Sequence, residues 1–389
     1  MVTTTNEASN KGTPAKGKRV NYAGMLWRLI RILFSSVRRV LNLLFALLLL
    51  LSVSAQVISP DSSIIPAFLG MAYPFLWVII CLFAVYSLIR RARGYFIANL
   101  ILLAAVSPTT FTYLPVHESK PITPSRDEIK VLSLNTQAFG YEKHLPGKTN
   151  PVLSYIKESG ADIVCLQEAL LIDRQEGYVS EATLKSFLPQ FPYIDRHTAQ
   201  PSGGSSLILL SKYPIENARR IPLSSVFNGG MAYVLRIGSK KLTVVNLHLE
   251  SFHLTNRDAE RYLELVKGAD TQALRDQMGQ KLGTAFRKRA EQVDALRMDP
   301  AFTDSKYLLI AGDFNDTPIS YTRYRLAEGR TDAFRHSGSG CGFSFTYHKM
   351  SFRLDHIIHS KNIRSRYCRV DNMARISDHQ PISCYIMLE

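Results

Sequence analysis

The sequence has little cysteine, five residues in 389. That is too few for a small disulfide-stapled scaffold. Cys165, Cys341, Cys368 and Cys384 also lack metal-binding spacing. Acids are scarce in the first 93 positions, where Glu7 and Asp61 stand against eleven Lys and Arg. That segment holds nine of the chain's fifteen net positive charges, and the longer remainder holds six. Six is too modest an excess to mark a nucleic-acid surface by charge alone. No long basic track interleaved with aromatics, the kind that binds single strands, is present. Internal repeats and low-complexity segments are missing after residue 128. Hydrophobic residues make up 46% and charged residues 20%, which excludes a disordered or fibrous chain.

Apolar sequence is concentrated near the N-terminus. Residues 1–39 read as a basic cytoplasmic tail followed by an interfacial helix, with Trp27 near the headgroups and arginines facing water. Three uncharged runs follow, 40–59, 64–89 and 95–114, each close to the roughly 20 residues that cross a bilayer. Together they predict a transmembrane region over 40–114 with about three spans. The Ser52-Val53-Ser54-Ala55 stretch would suit a signal-peptide cleavage site, but the two further runs argue against that reading. Arg90, Arg91 and Arg93 lie between the second and third runs, and the loop before them has no Lys or Arg. Positive charge stays on the cytoplasmic side, so the N-terminus is expected inside and everything after 115 outside the cytoplasm. If the third run does not cross, the C-terminal domain is cytoplasmic instead. The runs carry no charge, which argues against a transporter or channel. Residues 115–127 hold three prolines and read as a linker.

Residues 128–389 mix short apolar strands with helical stretches. Strands are expected at 129–136, 162–168, 205–212, 232–238, 241–249, 307–314, 352–360 and 381–388. Helices are expected at 149–159, 181–188 and 256–298, the last broken near Gly283. This pattern predicts a four-layer α/β sandwich, two packed mixed β-sheets flanked by helices, preceded by the transmembrane helical region. Arg287, Lys288, Arg289 and Arg297 suit either phosphate contacts or a solvated helix face.

The strands repeatedly end in polar residues: Asn135, Glu168, Asn246 and His248, Asp313 and Asn315, Asp355, and Asp378 with His379. Any one of these fits a turn or a helix cap. If the ends share one edge of the sandwich, their carboxylates, amides and imidazoles converge. Such a cluster suits a hard divalent cation and a phosphate: carboxylates bind Mg²⁺ or Mn²⁺, and histidines move protons.

LSLNT, DIVCLQE, SSLILLSKYPI, VVNLHLE, LIAGDFND, LDHII and ISDHQPI together resemble the ordered motifs of the endonuclease/exonuclease/phosphatase superfamily over about 129–389. The N-terminal spans give the chain the look of a membrane-anchored bacterial member. The resemblance implies that Glu168 binds a catalytic Mg²⁺ (or Mn²⁺), helped by Asn135, with Asp378 close to the metal. It implies that Asp313 orients the attacking water and that Asn315 orients the phosphate, with Asn246 a further substrate contact. His379 becomes general base or transition-state stabiliser, oriented by Asp355, and His248 assists the leaving group. The acid that pairs with His248 in such proteins is not evident here, and Asp195 is the weak candidate.

The expected function is a membrane-anchored, metal-dependent hydrolase of phosphoester bonds, a phosphodiesterase, nuclease or phosphatase acting by in-line attack of water. Its substrate would be a nucleic acid, a phospholipid headgroup or a small phosphorylated molecule, with the bilayer as its other partner. No feature calls for a protein partner. The domain would face the periplasmic side of the inner membrane. The alternative is a catalytically inactive, membrane-tethered binding module of the same fold. Loss of catalysis would leave a broken motif, and none is broken. A Cys341–Cys368 disulfide would fit an extracytoplasmic location.

Overall fold

The computed structural model describes residues 22–118, 123–140, 148–173, 178–198, 206–225, 228–252, 272–347, 350–373 and 377–389. The expected tail 1–20 and the first part of the 256–298 stretch lie outside the described residues. The chain divides into two units. The first ends at Phe45 and the second runs from Ala46 to Glu389.

Helix α1 (Tyr22–Val53) continues unbroken through the arginine-bearing stretch and the first apolar run. The helical stretch Gly24–Gln56 is long and apolar enough to cross a membrane. The second run forms α2 (Ile65–Met71) and α3 (Tyr73–Ile89), bent by 67°. The third forms α4 (Arg93–Ala105) and α5 (Ser107–Tyr113), bent by 58°. Pro66, Pro74 and Pro108 stand in the first turns of α2, α3 and α5. Proline is tolerated there because the first N–H groups have no helical partner, but it cannot extend a preceding helix. That is the physical reason for the two bends.

The remainder is an α/β sandwich of two mixed six-stranded sheets. The first has the order β13-β14-β1-β2-β4-β3, with β1 Ile129–Asn135, β2 Ile163–Ala169, β3 Tyr193–Thr198, β4 Ser206–Ser211, β13 Ile363–Val370 and β14 Ile382–Leu388. The second has the order β5-β6-β7-β8-β12-β9, with β5 Ile215–Ile221, β6 Gly229–Ile237, β7 Lys240–His248, β8 Tyr307–Asp313, β9 Thr331–Asp332 and β12 Asp355–His359. A hairpin of β10 (Phe345–Tyr347) and β11 (Met350–Phe352) leads into β12.

Side chains alternate along a strand, so the central strands are apolar on both faces. Val131, Ile163, Leu209, Val244, Leu309 and Ile357 fill the space between the sheets. Their neighbours Leu132, Val164 and Leu210 meet α6 (Pro151–Glu158) and α7 (Glu181–Phe187) on one outer face. Val245, Ile310 and Ile358 lie in a third cluster with Val293, Phe302 and Leu326. Those three come from α8 (Gln272–Arg297), α9 (Pro300–Thr303) and α10 (Tyr321–Ala327) on the other face. A last short helix, α11, spans Ala333–Ser337. Each fully buried aliphatic side chain contributes about 1.5–3 kcal/mol, so the three apolar layers outweigh the surface ion pairs many times over.

Three expectations need correction. Helix α8 does not break at Gly283: it continues to Arg297. The glycine lies beside Ile64, where a Cβ would meet Cδ1 at an ordinary contact distance of 3.4 Å, and it does not end the helix. Arg289 is neither on a solvated face nor offered to a ligand, being fully buried. All five cysteines are free, Cys341 and Cys368 included, and Cys368 lies against Cys384 instead.

Candidate active site

Strand register builds the site. In the parallel pair β7–β8, His248 stands opposite Asp313. In the antiparallel pair β8–β12, Asp355 stands opposite Asp313 from the other side. In the parallel pair β1–β2, Asn135 faces Gln167, which leaves Glu168 one step beyond. The two sheets meet at this edge, where Asn135 Nδ2 donates to Glu168 Oε1 (3.0 Å) and to Asp313 Oδ2 (3.1 Å).

Asp313 is the hub. Its Oδ2 lies 3.7 Å from His248 Nε2 and 3.5 Å from His379 Nε2. His248 Nε2 is also 3.5 Å from Glu168 Oε1. His379 Nδ1 pairs with Asp355 Oδ2 at 2.8 Å, and the Phe345 ring packs on the imidazole at 4.7 Å. The side chains of Asp313, Asp355 and His379 are closed off, whereas that of Glu168 is 37% exposed. Glu168 therefore marks the open side.

Burial pushes the Asp313 carboxyl up to about 6, with the Asp355 charge adding and His379 and His248 opposing. Burial works against a charge on His379, but Asp355 and Asp313 more than offset it and hold its pKa well above the usual histidine value.

The backbone is strained at this edge. Glu168 (φ 49°) and Asn315 (φ 51°) are left-handed without being glycine, and so are Gln137, Ala138 and Phe139 in sequence. Each such residue costs about 1–3 kcal/mol and persists only where the surroundings over-determine it. For Asn315 the constraint is visible: its N–H donates to Asp313 Oδ1 and its Nδ2 to the Leu249 carbonyl. Gly312 has no alternative, because a Cβ at its φ of 151° would collide with the Leu247 backbone.

Asn135, Glu168, His248, Asp313, Asn315, Asp355 and His379 thus share one edge. Asp378 lies beside them, its N–H donating to Gln137 Oε1 and its charge felt at Glu168. Asn246 does not join them. It is fully buried between the sheets, its Nδ2 donating to the Leu166 and Ile208 carbonyls and its Oδ1 accepting from Gln167 Nε2. It ties the sheets together and cannot touch a substrate. Asp195 sits on edge strand β3 beside the Tyr233 hydroxyl, away from His248.

Several supports escaped the sequence reading. Ser377 Oγ donates to the Asn135 carbonyl and accepts from the His379 N–H. Ser344 Oγ accepts from both Leu354 N–H and Asp355 N–H. Arg289 donates to Asp316 Oδ2 and to the Glu250 carbonyl, bracing the loops after β7 and β8. Serines and one arginine give no signal of their own in a sequence, although Ser377 and Asp316 stand inside the motifs ISDHQPI and LIAGDFND.

The donor set fits a divalent cation. Ligand atoms of Asp313, Asp355 and His379 lie within 4.8 Å of one another. Asp355 Oδ1 is buried without a hydrogen-bond partner among the described residues. With His379 held protonated, the carboxylates of Glu168, Asp313 and Asp355 are the donors this edge offers, and such oxygen ligands suit Mg²⁺ or Mn²⁺.

A family model described as Endonuclease/Exonuclease/phosphatase family matches residues 132–379. A second model, a domain of unknown function (DUF8431), matches residues 31–113. No protein of curated function matches the chain. Similar solved structures include the endonuclease/exonuclease/phosphatase from Beutenbergia cavernae DSM 12333, at 14% identity and TM-score 0.48, covering 68% of this chain and 72% of that one. The human nocturnin catalytic domain gives 17% and 0.48, covering 69% and 96%. Truncated Caenorhabditis elegans TDP2 gives 18% and 0.45, covering 67% and 98%.

Proposed function

The chain belongs to the endonuclease/exonuclease/phosphatase family, and on that premise we propose that it is a membrane-anchored, divalent-metal-dependent hydrolase of phosphoester bonds. The observation that carries this reading is the convergence of Asn135, His248 and His379 on the Asp313 carboxylate, with Glu168 joined to it through Asn135 Nδ2.

Glu168 would hold the cation, with Asn135 and Asp378 beside it. Glu168 is the carboxylate open to solvent, while Asp355 already binds His379. A bound Mg²⁺ or Mn²⁺ supplies Lewis-acid charge at a phosphoryl oxygen. Asp313 orients the water and accepts its proton as the new phosphorus–oxygen bond forms. The ester phosphorus–oxygen bond opposite breaks, and His248 directs a proton to the departing oxygen. His379, kept cationic by Asp355, offsets charge on the phosphoryl oxygens, and Asn315 fixes the phosphate's place. The closed walls around Asp313 strengthen each of these interactions by excluding water.

The same reading takes α1, the bent pair α2–α3 and the bent pair α4–α5 as three spans, with Arg90–Arg93 cytoplasmic and the catalytic domain outside. One feature supports it. Gly70 of α2 and Thr112 of α5 both touch the catalytic domain, so these two segments share its side, and Arg90–Arg93 joins α3 to α4 beyond them. Single-cysteine labelling at Arg91 and at Ser125 in intact cells tests the sidedness.

The substrate class is tested with the purified full-length chain in nanodiscs, using plasmid DNA, a phospholipid headgroup series and small phosphate esters with Mg²⁺ or Mn²⁺. One class is cleaved if the reading holds. A folded, metal-binding protein that cleaves none favours the inactive binding module.

A further inference from the structure

The apolar helical segment is built into the catalytic domain at two points. At the first, Gly70 of α2 leaves no room for a side chain: a Cβ would collide with the Ile319 carbonyl and with Ala55 Cβ. Ile319 is fully buried and lies four residues after Asn315. Nearby, Phe68 meets Phe286 of α8 edge-on at 5.3 Å. At the second, the guanidinium of Arg353 is buried. Its Nη2 donates to the Thr112 carbonyl (2.6 Å) and its Nη1 to those of Tyr113 (3.3 Å) and Cys341 (2.7 Å). The last carbonyls of α5 have no helical partner, so a cation there is doubly favoured. The Phe334 ring closes the other face at 4.2 Å. Two residues further on stands Asp355, the partner of His379.

A flexible leash requires neither contact. Burying a guanidinium costs several kcal/mol unless its hydrogen bonds are made, and two of those three bonds end on α5. We infer that the apolar helical segment is a structural part of the catalytic unit, and that Gly70 and Arg353 are positioning residues. They hold the loop that follows Asn315 and the strand start that carries Asp355. The kinetic half of this inference rests on the hydrolase reading above; the structural half does not.

The test uses the full-length chain in phosphatidylcholine/phosphatidylglycerol nanodiscs, with a site-specific protease sequence inserted in the linker 115–127. After cleavage, the wild-type C-terminal fragment is expected to co-elute with the discs, held by these two contacts. Gly70→Val and Arg353→Met are expected to release it. Before cleavage, both variants are expected to lower kcat about tenfold or more with KM little changed, since small misplacements of catalytic groups act on kcat. Arg353→Lys, which keeps the charge but not the fork, recovers part of the loss. Gly70→Val changes no residue within 128–389, and an unchanged thermal unfolding midpoint of the cleaved, released fragment separates lost positioning from misfolding. A wild-type fragment that elutes alone after cleavage overturns the inference, and so does unchanged kcat in both variants. If no substrate is hydrolysed by any form, the elution result alone decides the structural half.

Discussion

His379 Nδ1 and Asp355 Oδ2 are 2.8 Å apart in a pocket closed to solvent, and that pairing turns His379 Nε2 toward Asp313 at 3.5 Å. The geometry fixes the direction of the ring and keeps a proton on Nδ1, as a second carboxylate does for many catalytic histidines. Asp355→Asn is expected to lower kcat by about 10²-fold or more, with KM little changed. The double variant Asp355→Asn/His379→Ala should be no worse than His379→Ala alone, because the pair acts as a unit. Steady-state kinetics on the three variants checks this.

Glu168 is the solvent-open carboxylate of the site. Titration calorimetry with Mn²⁺ should show Glu168→Gln weakening metal binding by about tenfold or more, with the fold retained. Undiminished affinity would move the cation to the Asp313, Asp355 and His379 group.

Asn246 and Gln167 couple the two sheets through buried amides. Asn246→Leu takes the Asn246 donor from the Leu166 and Ile208 carbonyls and leaves Gln167 Nε2 only its longer bonds to Ser133 Oγ and the Cys165 carbonyl, at about 1–3 kcal/mol for each buried group left unpaired. The midpoint of thermal unfolding should fall while kcat per folded molecule stays unchanged. A kcat loss without a stability loss would return Asn246 to the substrate site.

Asp332 is buried against Arg323 at 2.8 Å. Burial alone would raise its pKa, but the charges of Arg323, His356 and Arg353 hold it well below the usual carboxylate range. A depressed folded pKa means the unfolded chain takes up the proton first. The stabilisation is therefore complete above about pH 4 and is lost as the pH falls further. Asp332→Asn should cost about 3–5 kcal/mol at neutral pH and should flatten the acid limb of the stability curve, as measured by denaturant unfolding from pH 3 to 7.

The central strands and the edge that holds the candidate site were legible because β1, β2, β7 and β8 are apolar and run out at Asn135, Glu168, His248 and Asp313. β3, β5 and β13 were not legible. YIDRHT, IENARRI and IRSRYCRV are polar edge strands, and edges carry charge to discourage further pairing. Asn246 misled because an amide near a strand end looks the same whether it faces a substrate or another sheet. Arg289 misled because charge on a helix suggests solvent. Its burial depends on Asp316 and on the rings of Phe252 and Phe286, at 4.4 and 5.1 Å, which only the tertiary fold brings together. The left-handed backbone of Glu168 and Asn315 has no sequence signal either, since neither residue is glycine.

The central claim is metal-dependent attack of water on phosphorus. It is tested most directly by hydrolysis of bis(p-nitrophenyl) phosphate by the full-length chain in ¹⁸O-labelled water. The account predicts turnover that stops with EDTA, returns with Mg²⁺ or Mn²⁺, disappears in Glu168→Gln and His379→Ala, and places the label in the p-nitrophenyl phosphate. Turnover that survives EDTA, label found in the nitrophenol, or no turnover by a folded, metal-loaded protein would contradict it.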